Sequence, residues 1–426
     1  MNLVVSTVGM LIGFIIELPI FLAVMAGVLG YFYLNGAIPF NIAVQRIIGT
    51  SQNVSLLAIP FFIMLGTVLN YTGITRRMLN LAALVTGRFT GGLAQANVVL
   101  STLMGGLSAS NLADSAMLTK MLVPEMTRLG YGRAFSAAVT ASGALITPII
   151  PPGIALIIYG FVADVSIGKM FMAGIIPGIL CACMLLITVY IVSKKRGYKP
   201  MRTQKLQRGE GLKAVRDALP AFFLIFLIIG GIRIGIFTPT EAGAIGVLFA
   251  IIIGMFVYRE MKIIQLFDCL LETVRATAGV MLIIMACSAL AWVFSWEQTA
   301  QTMAAVITSF TSNKYLFLAM INVIFLILGM FMEGNALLIV LIPILKPTVV
   351  ALGIDPVHFG LVVILNLAIG CLTPPVGTVM LLVTGLSGTN VSDFIKECMP
   401  FYFALLISLL LITFVPAISL FLPGIL

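Results

Sequence analysis

The chain has little charge and few of the side chains that enzymes use. Of its 426 residues only 9% are charged and one is histidine, whereas about a quarter of the residues in a soluble domain are charged. Hydrophobic residues make up 61% of the sequence, and the mean hydropathy is +1.18. The long apolar runs lack the alternation of barrel strands. The composition therefore predicts a polytopic all-α membrane protein.

The scarcity of reactive side chains excludes most enzyme chemistry. The six cysteines lie mostly in apolar segments, and Cys181 and Cys183 are too close in sequence for a metal site, so we interpret the thiols as inert. No Walker A sequence occurs, so the chain itself does not hydrolyse nucleotide. An intramembrane enzyme would need a nucleophile with a base, or a metal cluster. We therefore predict that the chain is not an enzyme.

The net charge of +9 is concentrated in one place. Nine of the 24 basic residues lie between Lys194 and Arg216, and short basic loops between apolar segments stay in the cytoplasm. We predict a cytoplasmic linker at 194–217 and no nucleic-acid partner. Residues 1–16 lack a basic n-region and a small-residue cleavage site, which predicts a retained helix and not a signal peptide.

A pattern of Gly, polar residues and Pro occurs once in each half of the chain. Gly130 lies 21 residues before Pro151, and Gly353 lies 21 residues before Pro374. Asp114 and Glu333 each precede a proline by 10 residues, so they are predicted to be equivalent. Paired apolar segments broken by Gly and Pro are typical of transporters whose sites are built from unwound helices.

The spans are predicted to form an inverted repeat. The first repeat covers 1–193, with a re-entrant hairpin at about 91–123 and a broken helix at 134–159. The second covers 218–426, with a hairpin at about 315–347 and a broken helix at 357–385. Each half has about five crossings, and an odd number inserts the second half upside down. Both termini are then outside, and the hairpin tips meet near the midplane from opposite faces.

The breaks and the hairpin turns are predicted to bind cations. A proline removes a backbone donor and frees the carbonyl before it, and such groups need an ion, water or protein partner inside a membrane. We predict one Na⁺ site in each repeat, so two or more ions. The first site comprises Ser108, Ser110, Asn111, Gly143, Ile146 and Pro148, and the second comprises Gly329, Met332, Gly370, Thr373 and Val376.

Carboxylates at membrane depth are costly and usually functional. Asp114 and Glu333 are therefore candidates for coupling, although a cap, in which Asp114 accepts the first N–H groups of the returning helix, is an alternative that can coexist with it. We do not expect either to contact the substrate, which is expected to be anionic and to suit helix N-termini. The residues assigned to substrate binding or coupling are Asp114, Glu333, Thr147, Pro151, Pro374 and Asn335. Trp292, Trp296 and His358 are interpreted as interfacial.

Four motifs together resemble the large membrane subunit of TRAP (tripartite ATP-independent periplasmic) transporters, in the ion-transporter superfamily. They are the turns Ser108–Asp114 and Gly329–Glu333 and the breaks Pro148–Pro152 and Thr373–Gly377. The resemblance implies a bacterial inner-membrane permease with a small four-helix membrane subunit and a periplasmic substrate-binding protein. It also implies Na⁺-driven import of an organic acid, such as sialic acid or a C4-dicarboxylate, by an elevator movement. Arm helices are then expected near 41–53, 74–88 and 260–275.

Two other functions stay open at this point. A stand-alone Na⁺ or H⁺ carboxylate symporter of the same superfamily would work without extra subunits and would form a stable homodimer. A channel is also conceivable, but paired broken helices favour alternating access.

Overall fold

The computed structural model describes residues 2–16, 18–36, 38–108, 110–201 and 209–425, except for the side chains of residues 2, 15, 108, 308 and 310. This part of the chain contains helices and no strand. Eight of the helices are long and apolar enough to cross a membrane. The predicted class, an all-α polytopic membrane protein, is confirmed.

The described ranges form twenty α-helices, ten in each half of the chain. Those of the first half are α1 (Asn2–Ile15), α2 (Ile20–Leu34), α3 (Asn41–Ser51), α4 (Ala58–Tyr71), α5 (Ile74–Thr86), α6 (Gly92–Ser108), α7 (Asn111–Arg128), α8 (Arg133–Ala144), α9 (Ile154–Val162) and α10 (Ile167–Lys195). Those of the second half are α11 (Glu210–Arg233), α12 (Pro239–Ile252), α13 (Ile263–Trp296), α14 (Thr299–Phe310), α15 (Lys314–Phe331), α16 (Gly334–Ala351), α17 (Pro356–Leu372), α18 (Thr378–Ser387), α19 (Val391–Phe414) and α20 (Ala417–Gly424).

The hairpins are α6–α7 in the first half and α15–α16 in the second, and the second helix of each hairpin ends in the same kind of turn. α7 is followed by Gly130 and α16 by Gly353, and both glycines have a positive φ, of 88° and 66°. This left-handed conformation suits glycine because it has no Cβ. The residue after each glycine donates its N–H to a carbonyl near the end of the preceding helix, that of Met126 in α7 and that of Val349 in α16. This hydrogen bond defines a Schellman motif.

The helices pack in two groups. We call α1–α4 with α11–α13 the scaffold group, because α4 packs against α12 and α13, and α2 and α3 pack against α13. We call α6–α10 with α15–α20 the hairpin group, in which α7 and α8 contact α18, α8 contacts α19, and α16 contacts α9. The remaining helices, α5 and α14, each contact both groups: α5 lies against α6 and α11, and α14 against α16 and α13.

Three elements differ from the sequence-based expectations. The expected arms near 41–53 and 74–88 correspond to α3 and α5, but the expected arm at 260–275 is not a separate helix. It continues into α13, whose 34 residues span about 51 Å at 1.5 Å per residue, more than the roughly 30 Å hydrocarbon core of a bilayer. The short helices α14 and α20 were not predicted, although α20 begins directly after Pro416 and ends at Pro423 and Gly424.

Candidate functional site

Both broken helices are interrupted at their proline pairs. α8 ends at Ala144 and α9 begins at Ile154, while α17 ends at Leu372 and α18 begins at Thr378. The residues between them form turns. Proline cannot donate to the helical ladder and clashes with the preceding turn, which explains why neither helix runs through.

The hairpin turns are shorter than the sequence suggested. α6 ends at Ser108, and α7 begins at Asn111 with Ser110 as its N-cap, whose Oγ accepts the Ala113 N–H at 3.4 Å. α15 ends at Phe331, and α16 begins at Gly334. Gly329, predicted to be in the turn, is therefore helical. The side chain of Ser108 lies outside the described residues, so its predicted part in the first cation site stays a prediction.

Glu333 is the N-cap of α16. One of its carboxylate oxygens accepts the Ala336 N–H at 2.9 Å, and the other accepts the Asn335 side-chain amide at 2.7 Å. A charged acceptor at this position stabilises the first turn, where the helix N–H groups have no internal partner. The cap that the sequence suggested at Asp114 is therefore found instead at Glu333 in α16 and at Ser110 in α7.

The predicted equivalence of Asp114 and Glu333 is wrong. α7 begins at Asn111 and α16 at Gly334, which sets the repeat at 223 residues. At that offset Glu333 corresponds to Ser110, the other N-cap, while Asp114 lies one helical turn further along α7. The prediction failed because it paired Pro124 with Pro343, whereas the 223-residue offset pairs Pro124 with Pro347, the second proline inside α16.

Asp114 joins the first hairpin to the first broken helix. Its side chain is 1% exposed, and its Oδ2 accepts a hydrogen bond of 2.7 Å from the Thr147 hydroxyl. A hydrogen bond to a buried carboxylate is stronger than one between neutral groups. Thr147 lies in the turn after α8, so this contact holds the turn against α7.

One cavity brings both hairpins and both broken helices together. The space open to water in this cavity is about 60 Å³. Ser110 and Glu333 face it from the two hairpin tips, and Pro148 faces it from the first break. The other lining residues are Asn111, Leu112, Ile154, Ala155, Gly334, Asn335, Leu338, Ile364, Leu367, Ala368, Cys371 and Thr378.

Four helices begin at this cavity. Asn111 is the first residue of α7, Ile154 of α9, Gly334 of α16 and Thr378 of α18, and all four line it. The N–H groups of a first helical turn have no partner within the helix, and the helix dipole makes that end positive. Four such ends around one space form an environment that attracts anions.

The predicted cation ligands are only partly brought to the cavity. Ser110, Asn111 and Pro148 line it, whereas Gly143 and Ile146 do not. The Gly143 carbonyl accepts the Ile146 N–H, and the Ile146 carbonyl accepts the N–H groups of Ile149 and Ile150, all within the turn after α8. Both residues are buried.

Two predicted ligands of the second repeat, Gly329 and Gly370, lie at the contact of α15 with α17. A Cβ added to Gly370 would be 2.7 Å from the backbone of Gly329, so the two helices touch through their main chains. The Gly370 carbonyl accepts the Thr373 N–H at 2.9 Å, and the Thr373 hydroxyl donates to Ile369 at 2.7 Å. Met332 is the C-cap of α15, and Val376 and Pro374 lie in the second break. None of these three residues lines the cavity, and Pro151 of the first break does not line it either.

Several residues of the cavity were missed from the sequence. Ile154, Ala155 and Thr378 are the first residues of the helices that follow the breaks, so the end of each proline pair was the signal that could have located them. Cys371 lines the cavity as well, although its position in an apolar run suggested only an inert thiol. The apolar wall residues carry no sequence signal, because they resemble those of any membrane helix.

The fold and the cavity define a multi-pass membrane protein of the transporter class, in which re-entrant hairpins and broken helices surround one site. A family model described as the DctM component of tripartite ATP-independent periplasmic transporters matches residues 3–418. The chain therefore belongs to this family, as its motifs predicted, and is a TRAP large permease.

Two named relatives and a solved structure agree with this assignment. The chain is 37% identical to the sialic acid TRAP transporter large permease protein SiaM of Vibrio cholerae, over 95% of each chain. It is 35% identical to the C4-dicarboxylate large permease protein DctM of Pseudomonas aeruginosa, over 89% of this chain and 88% of that protein. The crystal structure of the YdaH transporter of Alcanivorax borkumensis shares the fold, with a TM-score of 0.60 at 16% identity over 90% of this chain and 88% of that chain.

Proposed function

We propose that the chain is the permease subunit of a Na⁺-coupled secondary transporter that imports an organic acid. The convergence of four helix N-termini on one cavity carries this proposal, because that arrangement favours a negatively charged substrate. The relatives named for sialic acid and for C4-dicarboxylates support a carboxylate. Glu333, which also lines the cavity, is a second reason to propose a coupling cation, since an anion beside a carboxylate needs a positive charge between them.

The partners and the location follow from the family. In this proposal the permease lies in the inner membrane of a bacterium with both termini on the periplasmic side. A small membrane subunit packs beside it, and a soluble periplasmic protein delivers the substrate. The description of the family as tripartite and the names of its relatives as large permeases support this assembly.

The two helix groups suggest how transport occurs. In an elevator mechanism the hairpin group slides past the scaffold group and carries the cavity across the membrane. α5 and α14 are suited to act as hinged arms, because each is a separate short helix that contacts both groups. The hairpin tip at Gly106 packs on the scaffold residue Ile225, with 3.4 Å between the position of a Gly106 Cβ and the Ile225 side chain.

Uptake into proteoliposomes tests the coupling and the partners. The permease is reconstituted with its small subunit, and labelled sialic acid or succinate is supplied with the binding protein. We expect uptake under an inward Na⁺ gradient, none under an equal K⁺ gradient, and none without the binding protein. Uptake driven by Na⁺ without the soluble partner would support a stand-alone symporter, and uptake without any cation gradient would refute coupling.

A cross-link tests the sliding of the groups. Cysteines replacing Gly106 and Ile225 would join the hairpin group to the scaffold group, and oxidation should stop uptake until a reductant is added. As a control, cysteines replacing Phe61 and Gly243 would join α4 to α12 within the scaffold group, where a Gly243 Cβ would be 2.9 Å from that of Phe61. Full uptake by the oxidised Gly106–Ile225 pair would refute the elevator movement.

A further inference from the structure

A second cavity lies between α3 and the end of α13. The space open to water in this cavity is about 540 Å³. It is lined by Arg46 of α3 and, on α13, by Ser288, Ala291, Trp292, Ser295 and Trp296. All these residues belong to the scaffold group, so the cavity is separate from the candidate transport site.

Arg46 brings an unneutralised positive charge to this cavity. It is exposed on α3, and within the described ranges its guanidinium forms no ion pair. Glu297 follows Trp296 in the chain, but it does not line the cavity, and its carboxylate accepts a hydrogen bond from the Tyr31 hydroxyl. A guanidinium presents five donors in a planar fork that matches the oxygens of a phosphate.

The opposite wall of the cavity is aromatic. The rings of Trp292 and Trp296 stack with centroids 5.4 Å apart, and Phe32 stacks on Trp292 with centroids 5.6 Å apart. Trp296 is 60% exposed. Tryptophan is enriched at the level of the lipid headgroups, because its ring is apolar and its N–H is polar.

α3 has the features of a helix that lies on a membrane surface. Its apolar residues Val44 and Ile48 are exposed beside the exposed Arg46, and it is a separate 11-residue helix between α2 and α4. Such helices place apolar side chains at the headgroup boundary and attract anionic lipid. The hydroxyls of Thr50 and Ser288 are 2.7 Å apart, which fixes α3 against α13 and sets the distance from Arg46 to the indoles.

We propose that this cavity binds the phosphate group of a phospholipid. The Arg46 guanidinium pairs with the phosphate, and the Trp292 and Trp296 rings lie along the glycerol and the first part of the acyl chains. The charge selects a lipid with a phosphate over an uncharged lipid, and the aromatic wall selects a lipid over free phosphate. The bound lipid would hold α3 on the scaffold group, independently of the transported substrate.

The chain's own fluorescence reports on this site. Trp292 and Trp296 are the only two tryptophans in the sequence, and both line the cavity. The full-length chain in detergent is titrated with dihexanoylphosphatidylglycerol while the tryptophan emission is recorded. We expect a saturable change with the phospholipid and none, at equal concentrations, with inorganic phosphate or with dihexanoylglycerol. An equal response to dihexanoylglycerol would show that the phosphate is not recognised, and an equal response to phosphate would show a free-anion site.

Variants assign the signal to Arg46. Arg46→Gln should weaken phospholipid binding about tenfold or more, since it removes a hydrogen bond between charged groups, and Arg46→Lys should retain part of it. Arg275→Gln removes an arginine nearer the opposite end of α13 and serves as the matched control. Trp296→Phe should remove much of the signal. An unchanged titration of Arg46→Gln, or an absence of any saturable change in the unmodified chain, would overturn the proposal.

Discussion

The contact between Gly329 and Gly370 makes a sharp test of how the second hairpin is held. A methyl group on Gly370 would lie 2.7 Å from the Cα and the carbonyl carbon of Gly329. Atoms so close must move apart, and the opposing atoms are main chain, which cannot rotate away as a side chain can. Gly370→Ala therefore has to separate α15 from α17.

The expected cost of Gly370→Ala is about 1–3 kcal/mol of unfolding free energy, the usual range for overpacking. Alanine is a better helix former than glycine by up to about 1 kcal/mol, so a strain-free site would gain stability. Gly385 in α18 is such a site, because a Cβ there would meet no atom within 4 Å. Gly385→Ala is therefore the matched control and should be neutral or stabilising.

Thermal unfolding of the two variants in the same detergent separates these outcomes. Gly370→Ala should unfold at a lower temperature than the unmodified chain, and Gly385→Ala at an equal or higher one. Added Na⁺ stabilises the folded state if it binds there, and its effect should shrink in Gly370→Ala if the carbonyls beside this contact are ligands. A Gly370→Ala protein as stable as the control would refute the close main-chain packing.

Two other contacts give predictions of their own. Thr147→Val removes the hydroxyl that donates to Asp114 at 2.7 Å and should lower the unfolding free energy, measured by denaturation, by about 1.5–3 kcal/mol. Thr147→Ser keeps a hydroxyl and should retain most of that stability. Equal stability of the two variants would contradict this role. Arg77 and Glu260 form a partly exposed ion pair of 2.7 Å. A double-mutant cycle should give a coupling of about 0.2–1 kcal/mol that falls with added salt. A coupling insensitive to salt would contradict an electrostatic origin.

The existence of the hairpins and breaks could be predicted because prolines act locally. Pro148, Pro151 and Pro374 each remove a backbone donor whatever surrounds them, and the class of protein follows from composition. The residues of the hairpin turns could not be read in the same way. Gly329 looked like a turn residue, but it lies in α15 and packs against Gly370 of α17. That packing depends on a neighbouring helix, which the local sequence does not reveal.

The sequence also did not show which residues of the two halves correspond to each other. Two prolines, Pro343 and Pro347, lie inside α16, and sequence spacing alone does not say which one matches Pro124. Choosing Pro343 made Asp114 and Glu333 appear equivalent. The observed helix starts pair Ser110 with Glu333 instead, and they reveal an asymmetry that the wrong register concealed: one hairpin is capped by a neutral hydroxyl and the other by a carboxylate.

That asymmetry allows the capping role of Glu333 to be separated from a role in transport. Serine is as good an N-cap as an acidic residue, and Ser110 caps the equivalent position of α7, so Glu333→Ser should change the unfolding free energy by less than about 1 kcal/mol while removing the carboxylate from the cavity. Asn390 provides the control. Its side chain caps α19 by accepting the Ser392 N–H at 3.1 Å, and it lies outside the cavity. Asn390→Ala should therefore lower the unfolding free energy by about 1 kcal/mol and leave substrate uptake per folded protein unchanged. If the carboxylate holds the coupling cation, Glu333→Ser alone will lose Na⁺-dependent uptake and the thermal stabilisation by Na⁺. Wild-type uptake and stabilisation in Glu333→Ser would show that Glu333 is only a cap.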